Sequence, residues 1–89
     1  MKVSKSLLIG GLSFRYAPRI RPALGLIVSK HYGNSVSRNI FKRRCRALFR
    51  DRLISNGVEV ALIVRPKKQN LSFTDMDFSF RQLYENICS

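Results

Sequence analysis

Residues 24–50 read LGLIVSKHYGNSVSRNIFKRRCRALFR, and the succession of elements in this stretch decides the fold. Leu24 to Ser29 is a short apolar run of the kind that forms a strand buried on both faces. Gly33-Asn34-Ser35 breaks it, and Asn34 and Ser35 both have the side chain to cap a helix N-terminus. From Ser35 to about Ile54 neither proline nor glycine interrupts helix-compatible residues, and Asn56-Gly57 supplies a stop. At about 100° per residue, Phe41, Cys45, Leu48 and Phe49 fall on one stripe of this helix. Arg38, Lys42, Arg46, Arg50 and Arg43 fall together on one flank, with Asn39 among them, and Asp51 is the only acid in the helix. Like charges at i and i+4 repel by about 0.2–0.5 kcal/mol per pair. A row of them left uncompensated points to a polyanion that meets it, although a solvated basic face is the plainer alternative.

Upstream, Leu12-Ser13-Phe14-Arg15-Tyr16 alternates apolar and polar, the mark of a half-buried strand, and Ala17 to Pro22 is a turn with two prolines. Downstream, Val58 to Val64 is a third strand rich in Val and Ile, stopped by Arg65-Pro66-Lys67-Lys68. Thr74 or Asp75 then opens a last helix carrying Phe78, Leu83, Tyr84 and Ile87. The order β-β-α-β-α predicts an α/β (α+β) two-layer sandwich, a single RNA-binding domain over residues 1–89, with a strand–helix–strand crossover joining two neighbours of one sheet.

Composition narrows the function. Seventeen Lys and Arg face five acids, for a net charge of +12 in 89 residues, so nucleic acid is the leading partner class and an anionic membrane surface the second. The 45% of apolar residues is too high for a disordered tail. The apolar runs Leu7–Leu12 and Val58–Val64 are far shorter than the ~20 residues of a membrane span, and the basic start has no convincing cleavage site after it. Cys45 and Cys88 make no disulfide framework, which fits a reducing, cytoplasmic setting. His31 is the single histidine, and no cluster has metal-ligand spacing. Ser29 has no partner at triad spacing, and the scattered acids argue against a hydrolase that works by protein groups alone.

The stretch quoted above resembles the signature of the bacterial ribonuclease P protein subunit. In that family a strand ending in Val-Ser-Lys is followed by a glycine and a helix bearing Arg-Asn, Lys-Arg and further arginines. Val28-Ser29-Lys30, Gly33, Arg38-Asn39, Lys42-Arg43, Arg46 and Phe49-Arg50 match it in spacing, and the likeness extends from about Leu12 to Ile87. Ile40 stands where the family has a second arginine, and His31 where it often has lysine. The resemblance implies a sandwich of the ribosomal-protein-S5-domain-2 type with a left-handed βαβ crossover, against the usual right-handed rule. It also implies that the partners are ribonuclease P RNA and precursor tRNA, with no membrane and no small-molecule substrate. The RNA subunit would carry out 5′-leader cleavage with its own Mg²⁺, and the protein would assist.

By the same resemblance Lys30, Arg38, Asn39, Lys42, Arg43, Arg46 and Arg50 would touch RNA. Asn39 has the alternative of tying the helix to the preceding loop. Phe14, Tyr16, Ile27 and Ser29 are the candidates for holding the single-stranded leader. Phe14 suits stacking on an unpaired base, although a place in the core is the plainer account of it. Family members commonly begin with an additional helix that walls the leader cleft. No such pattern is read here, so Leu12, Phe14 and Tyr16 are expected to lie uncovered on one sheet face. A general RNA-binding protein, such as a ribosome-associated one, is the alternative that charge alone supports equally.

Overall fold

The computed structural model describes residues 5–69 and 71–88. The basic start at residues 1–4 lies outside the described residues. Four strands and two helices run in the order β1 (Lys5–Ile9), β2 (Leu12–Pro18), β3 (Ala23–Leu26), α1 (Ser35–Leu48), β4 (Val60–Pro66) and α2 (Phe73–Cys88). They form a mixed α/β structure whose single sheet has the strand order β1-β2-β4-β3. β2 is antiparallel to both β1 and β4, whereas β3 runs parallel to β4, with α1 in the crossover between them.

The first strand is an addition to the expected order. Gly10 and Gly11 both have positive φ, at 56° and 87°, so the apolar stretch around them folds back on itself as a hairpin. Its turn is held from across the molecule. Ser79 of α2, fully buried, lies with its Oγ 3.0 Å from the Ile9 carbonyl and 3.0 Å from the Asp75 carbonyl, the two acceptors open to its hydroxyl. A Cβ on Gly10 would come within 2.6 Å of that Oγ.

Pleating sorts the sheet into two faces. Leu12 and Phe14 of β2 and Val60, Leu62 and Val64 of β4 point to the helix layer and are buried. Phe14 meets Phe80 of α2 edge-on, with ring centroids 5.2 Å apart, and both rings are fully enclosed. The expectation that Leu12, Phe14 and Tyr16 lie uncovered is therefore corrected: α2 returns over the strands, enclosing Leu12 and Phe14 fully and leaving Tyr16 half-buried. That helix begins at Phe73, just ahead of the two expected starts Thr74 and Asp75, because the Ser72 Oγ accepts from the Asp75 amide at 3.1 Å. Its inward residues are Met76, Ser79, Phe80 and Leu83, while Phe78 is 54% exposed.

α1 starts as expected, with the Asn34 Oδ1 accepting from the Ser37 amide at 2.9 Å. Its stripe of Phe41, Cys45, Leu48 and Phe49 is buried. Beyond Leu48 the backbone widens into a π-helical turn over Phe49–Leu53, then tightens over Ile54–Asn56 and stops at left-handed Gly57. The wide turn has a clear cause. On an unbroken wheel Arg52 would lie about 20° from Phe41, inside the core, and Leu53 about 120° away, among the cations. The extra residue in the turn sets the phase back by one position, so Leu53 is fully buried and Arg52 swings toward α2.

Gly10→Ala is expected to lower stability by about 1–3 kcal/mol in urea unfolding, from the positive φ together with the collision at Ser79. A variant as stable as the parent would show that the hairpin turn relaxes freely.

Candidate nucleic-acid interface

Lys42, Arg46 and Arg50 follow one another at intervals of four along α1 and into its wide turn. They stand on the rim of a groove of about 520 Å³ between the helix and edge strand β3, whose lining also includes Leu24, Leu26, Phe49 and Ile54. Arg43 and Asn39 are exposed on the same helix, and Lys30 is exposed in the helical turn Lys30–Tyr32 that precedes it. Arg38 is folded back on the helix start, its Nε donating to the Asn34 carbonyl at 3.5 Å and its Nη2 to the Ser35 Oγ at 3.3 Å.

The acids sort the cations into two classes. Arg52 makes a paired contact with Asp77 of α2, at 2.7 and 3.0 Å, and that hydrogen bond raises its pKa above the usual arginine range. Arg44 donates to the Leu71 carbonyl at 3.5 Å and lies 6.0 Å from the centre of the Phe73 ring. These two fasten α1 to the α2 side of the molecule. Arg50 touches Asp51 at 3.4 Å in an ion pair open to water, which is worth little. Lys42, Arg43 and Arg46 have no carboxylate or hydrogen-bond partner among the described residues. Arg44, adjacent in sequence to this trio, lies off the basic flank of the helix wheel, and its contacts with Leu71 and Phe73 make it a structural residue.

The four candidates for a leader site do not come together. Phe14 is sealed in the core, so no face of its ring is open to a base, and it is withdrawn from that role. Tyr16 lies on the same helix-covered side and lines a cavity of about 460 Å³ with Val58, Ile87 and Cys88. Ile27 is on the opposite, open face of the sheet, in a shallow cleft of about 270 Å³ with Ser6, Ser13, Arg15, Ile63 and Arg65. Ser29 is exposed elsewhere, near His31, Lys67 and Lys68. The two arginines on the open face were missed as site residues. Alternation places Ser13 and Arg15 opposite Phe14, but only the cross-strand pairs Ser13↔Arg65 and Arg15↔Ile63 reveal that the arginines share a cleft.

A family model described as Ribonuclease P matches residues 3–88. The chain belongs to the ribonuclease P protein family. The ribonuclease P protein component of Syntrophobacter fumaroxidans is 39% identical over 56 residues, which are 60% of this chain and 47% of that protein, so the match spans about half of the curated relative. Among solved structures, the RNase P protein from Thermotoga maritima aligns with a TM-score of 0.76 at 22% identity, covering 96% of this chain and 84% of that one. The Staphylococcus aureus RNase P protein gives 0.73 at 21% identity, covering 97% and 82%. At such identities the two structures establish the ribonuclease P protein fold. Within that family pattern Ile40 leaves an apolar spot, 37% exposed, on the helix that bears the cations.

The two thiols of this family member differ sharply. Burial pushes the Cys45 thiol up to about 12, whereas Cys88 is exposed near the end of α2. One thiol per native chain is expected to react promptly with a disulfide reagent at pH 8, and both after denaturation; prompt labelling of Cys45 in the native protein would contradict its burial. Because the unfolded chain releases the Cys45 proton first, near 9, this group's contribution makes stability fall as pH rises from about 9 toward 12. Arg46→Ala is expected to change stability by less than about 0.5 kcal/mol, while Arg52→Ala, which frees Asp77, lowers the melting temperature visibly. The reverse order in thermal melts would mean that the two arginines have been assigned the wrong partners.

Proposed function

We propose that this chain is the protein component of ribonuclease P, that it binds the catalytic RNA through the flank of α1, and that it thereby assists 5′-leader removal from precursor tRNA. The observation that carries the reading is the set of unpaired cations Lys42, Arg43 and Arg46, left free while Asp77 and Asp51 engage other arginines. In this reading the planar guanidinium groups of Arg43 and Arg46 fork onto phosphates, and Lys42 acts as a point charge beside them. Arg38, Arg50, Asn39 and Lys30 extend the contact toward both ends of the helix. Family membership and the shared fold support the choice of ribonuclease P RNA over an unrelated RNA.

Catalysis is assigned to the RNA partner and its Mg²⁺. The protein's part is electrostatic. It lowers the repulsion between two RNA chains so that the complex assembles at Mg²⁺ concentrations where RNA alone is poorly active. The open sheet face, with Arg15 and Arg65 beside Ile27 and Ile63, is the surface we assign to the single-stranded leader, because apolar groups between two cations suit exposed bases linked by phosphates.

Reconstitution tests this reading. Added to a bacterial ribonuclease P RNA at low Mg²⁺, the chain is expected to raise precursor-tRNA cleavage. Binding through about five phosphates gives a log–log salt slope of about −3.5 to −4.5, which Arg46→Ala reduces by about 0.7–0.9. Changing Arg15 and Arg65 together to alanine is expected to weaken binding of leader-bearing tRNA more than that of mature tRNA. Unchanged cleavage, together with equal affinity for any structured RNA, would favour a general RNA-binding protein instead.

A further inference from the structure

We propose that the groove between α1 and β3 is a receptor for one unpaired nucleotide of the partner RNA, so that the basic flank reads a bulge or flipped base as well as phosphates. The proposal rests on the reading of α1 as an RNA-binding face, and it adds a site for a base to a surface so far described by charge.

Three observations meet at this place. The first is chemical contrast. Leu24, Leu26, Phe49 and Ile54 line the groove, and Lys42, Arg46 and Arg50 line it with them. Phosphate binding needs no apolar lining, and a purely apolar partner would leave three cations unmatched. A nucleotide has an apolar base face and an anionic link on either side, and it satisfies both parts. The second is size: about 520 Å³ lies within the roughly 300–1,000 Å³ typical of clefts that hold an organic ligand.

The third is the strand edge. β3 pairs only with β4 and is the last strand of the sheet. The Ile27 amide donates to the Val64 carbonyl at 3.0 Å, so in this parallel ladder the odd-numbered residues of β3 spend their main-chain groups on β4. The amides and carbonyls of Leu24 and Leu26 consequently face the free edge, beside the groove that their own side chains line. They offer an alternation of donor and acceptor that the hydrogen-bonding edge of a base can meet. A peptide strand could also pair there. Charge selects the nucleotide, since three cations and no acid line the groove, and Asp51 is beside Arg50 in an exposed pair.

Two RNA hairpins with the same stem test the proposal, one fully paired and one carrying a single unpaired fluorescent adenine analogue. Titrated with the full chain at fixed salt, the bulged hairpin is expected to bind about tenfold more tightly, with a change in the analogue's emission. Ile54→Ser, at a position 44% exposed and therefore compatible with folding, is expected to bring the two affinities together without altering the salt slope. A melting curve equal to the parent's confirms that this variant is folded. Equal affinity of the parent for both hairpins, with the salt slope intact, overturns the groove proposal and leaves the phosphate-binding face standing. Failure to bind either hairpin, or ribonuclease P RNA itself, removes both. Amide shifts along β3 that respond to an added strand peptide and not to the bulged hairpin would likewise overturn it, making the edge a protein-docking site.

Discussion

The burial of one narrow stripe of α1 is the constraint from which the rest of the molecule follows. Phe41, Cys45, Leu48, Phe49 and Leu53 must all reach the core, and together they occupy one side of a helix that is otherwise basic. Once that side is against the sheet, the direction of each cation is determined. Lys42 and Arg46 emerge over β3, Arg44 reaches toward the segment before α2, and Arg52 meets Asp77. Apolar packing thus does the orienting, and the charges are carried into position by it. A net charge of +12 contributes no cohesion of its own in an 89-residue chain, so a firm apolar anchorage is a condition for displaying it.

α2 completes the arrangement from the far end of the chain. Its Phe80 closes over Phe14, its Ser79 holds the first hairpin turn, and its Asp77 fixes Arg52. The last helix therefore links the opening hairpin to the basic helix. A polar group such as Ser79 is tolerated at zero exposure because two carbonyls lie within reach of its hydroxyl.

Much of this was legible in the residues. The helix caps at Asn34 and Gly57, the apolar stripe, β4 and the parallel crossover were all encoded by local pattern. The Gly10-Gly11 pair inside the apolar run Leu7–Leu12 is a hairpin signal as well, although the expected order of elements does not include β1. Other features depended on contacts between residues far apart in sequence, which no local period contains. Phe14 could stack on a base or fill a core until α2 was seen to cover it. Arg15 and Arg65 became neighbours only through strand pairing. The helix wheel sets Arg44 apart from Arg46, but only Leu71 and Phe73, more than twenty residues on, show what Arg44 is held by. The uniform wheel failed at one point, the wide turn, where the helix departs from the geometry that the wheel assumes.

That wide turn has a consequence for how such a chain can vary. Upstream of Phe49 the angular position of every side chain is referred to the cationic face, and downstream to the contact with α2; a single surplus residue is the joint between the two frames. Loss of a residue within 49–53 would let the backbone run on as a regular spiral while Leu53 kept its place inside, so shortening is tolerable there as it is nowhere else in the helix. Gain of one would turn Leu53 outward and drive a neighbour's charge into the core. Length changes at this joint are thus allowed in one direction only, and the asymmetry is a fingerprint by which the joint can be sought in more distant members of the family.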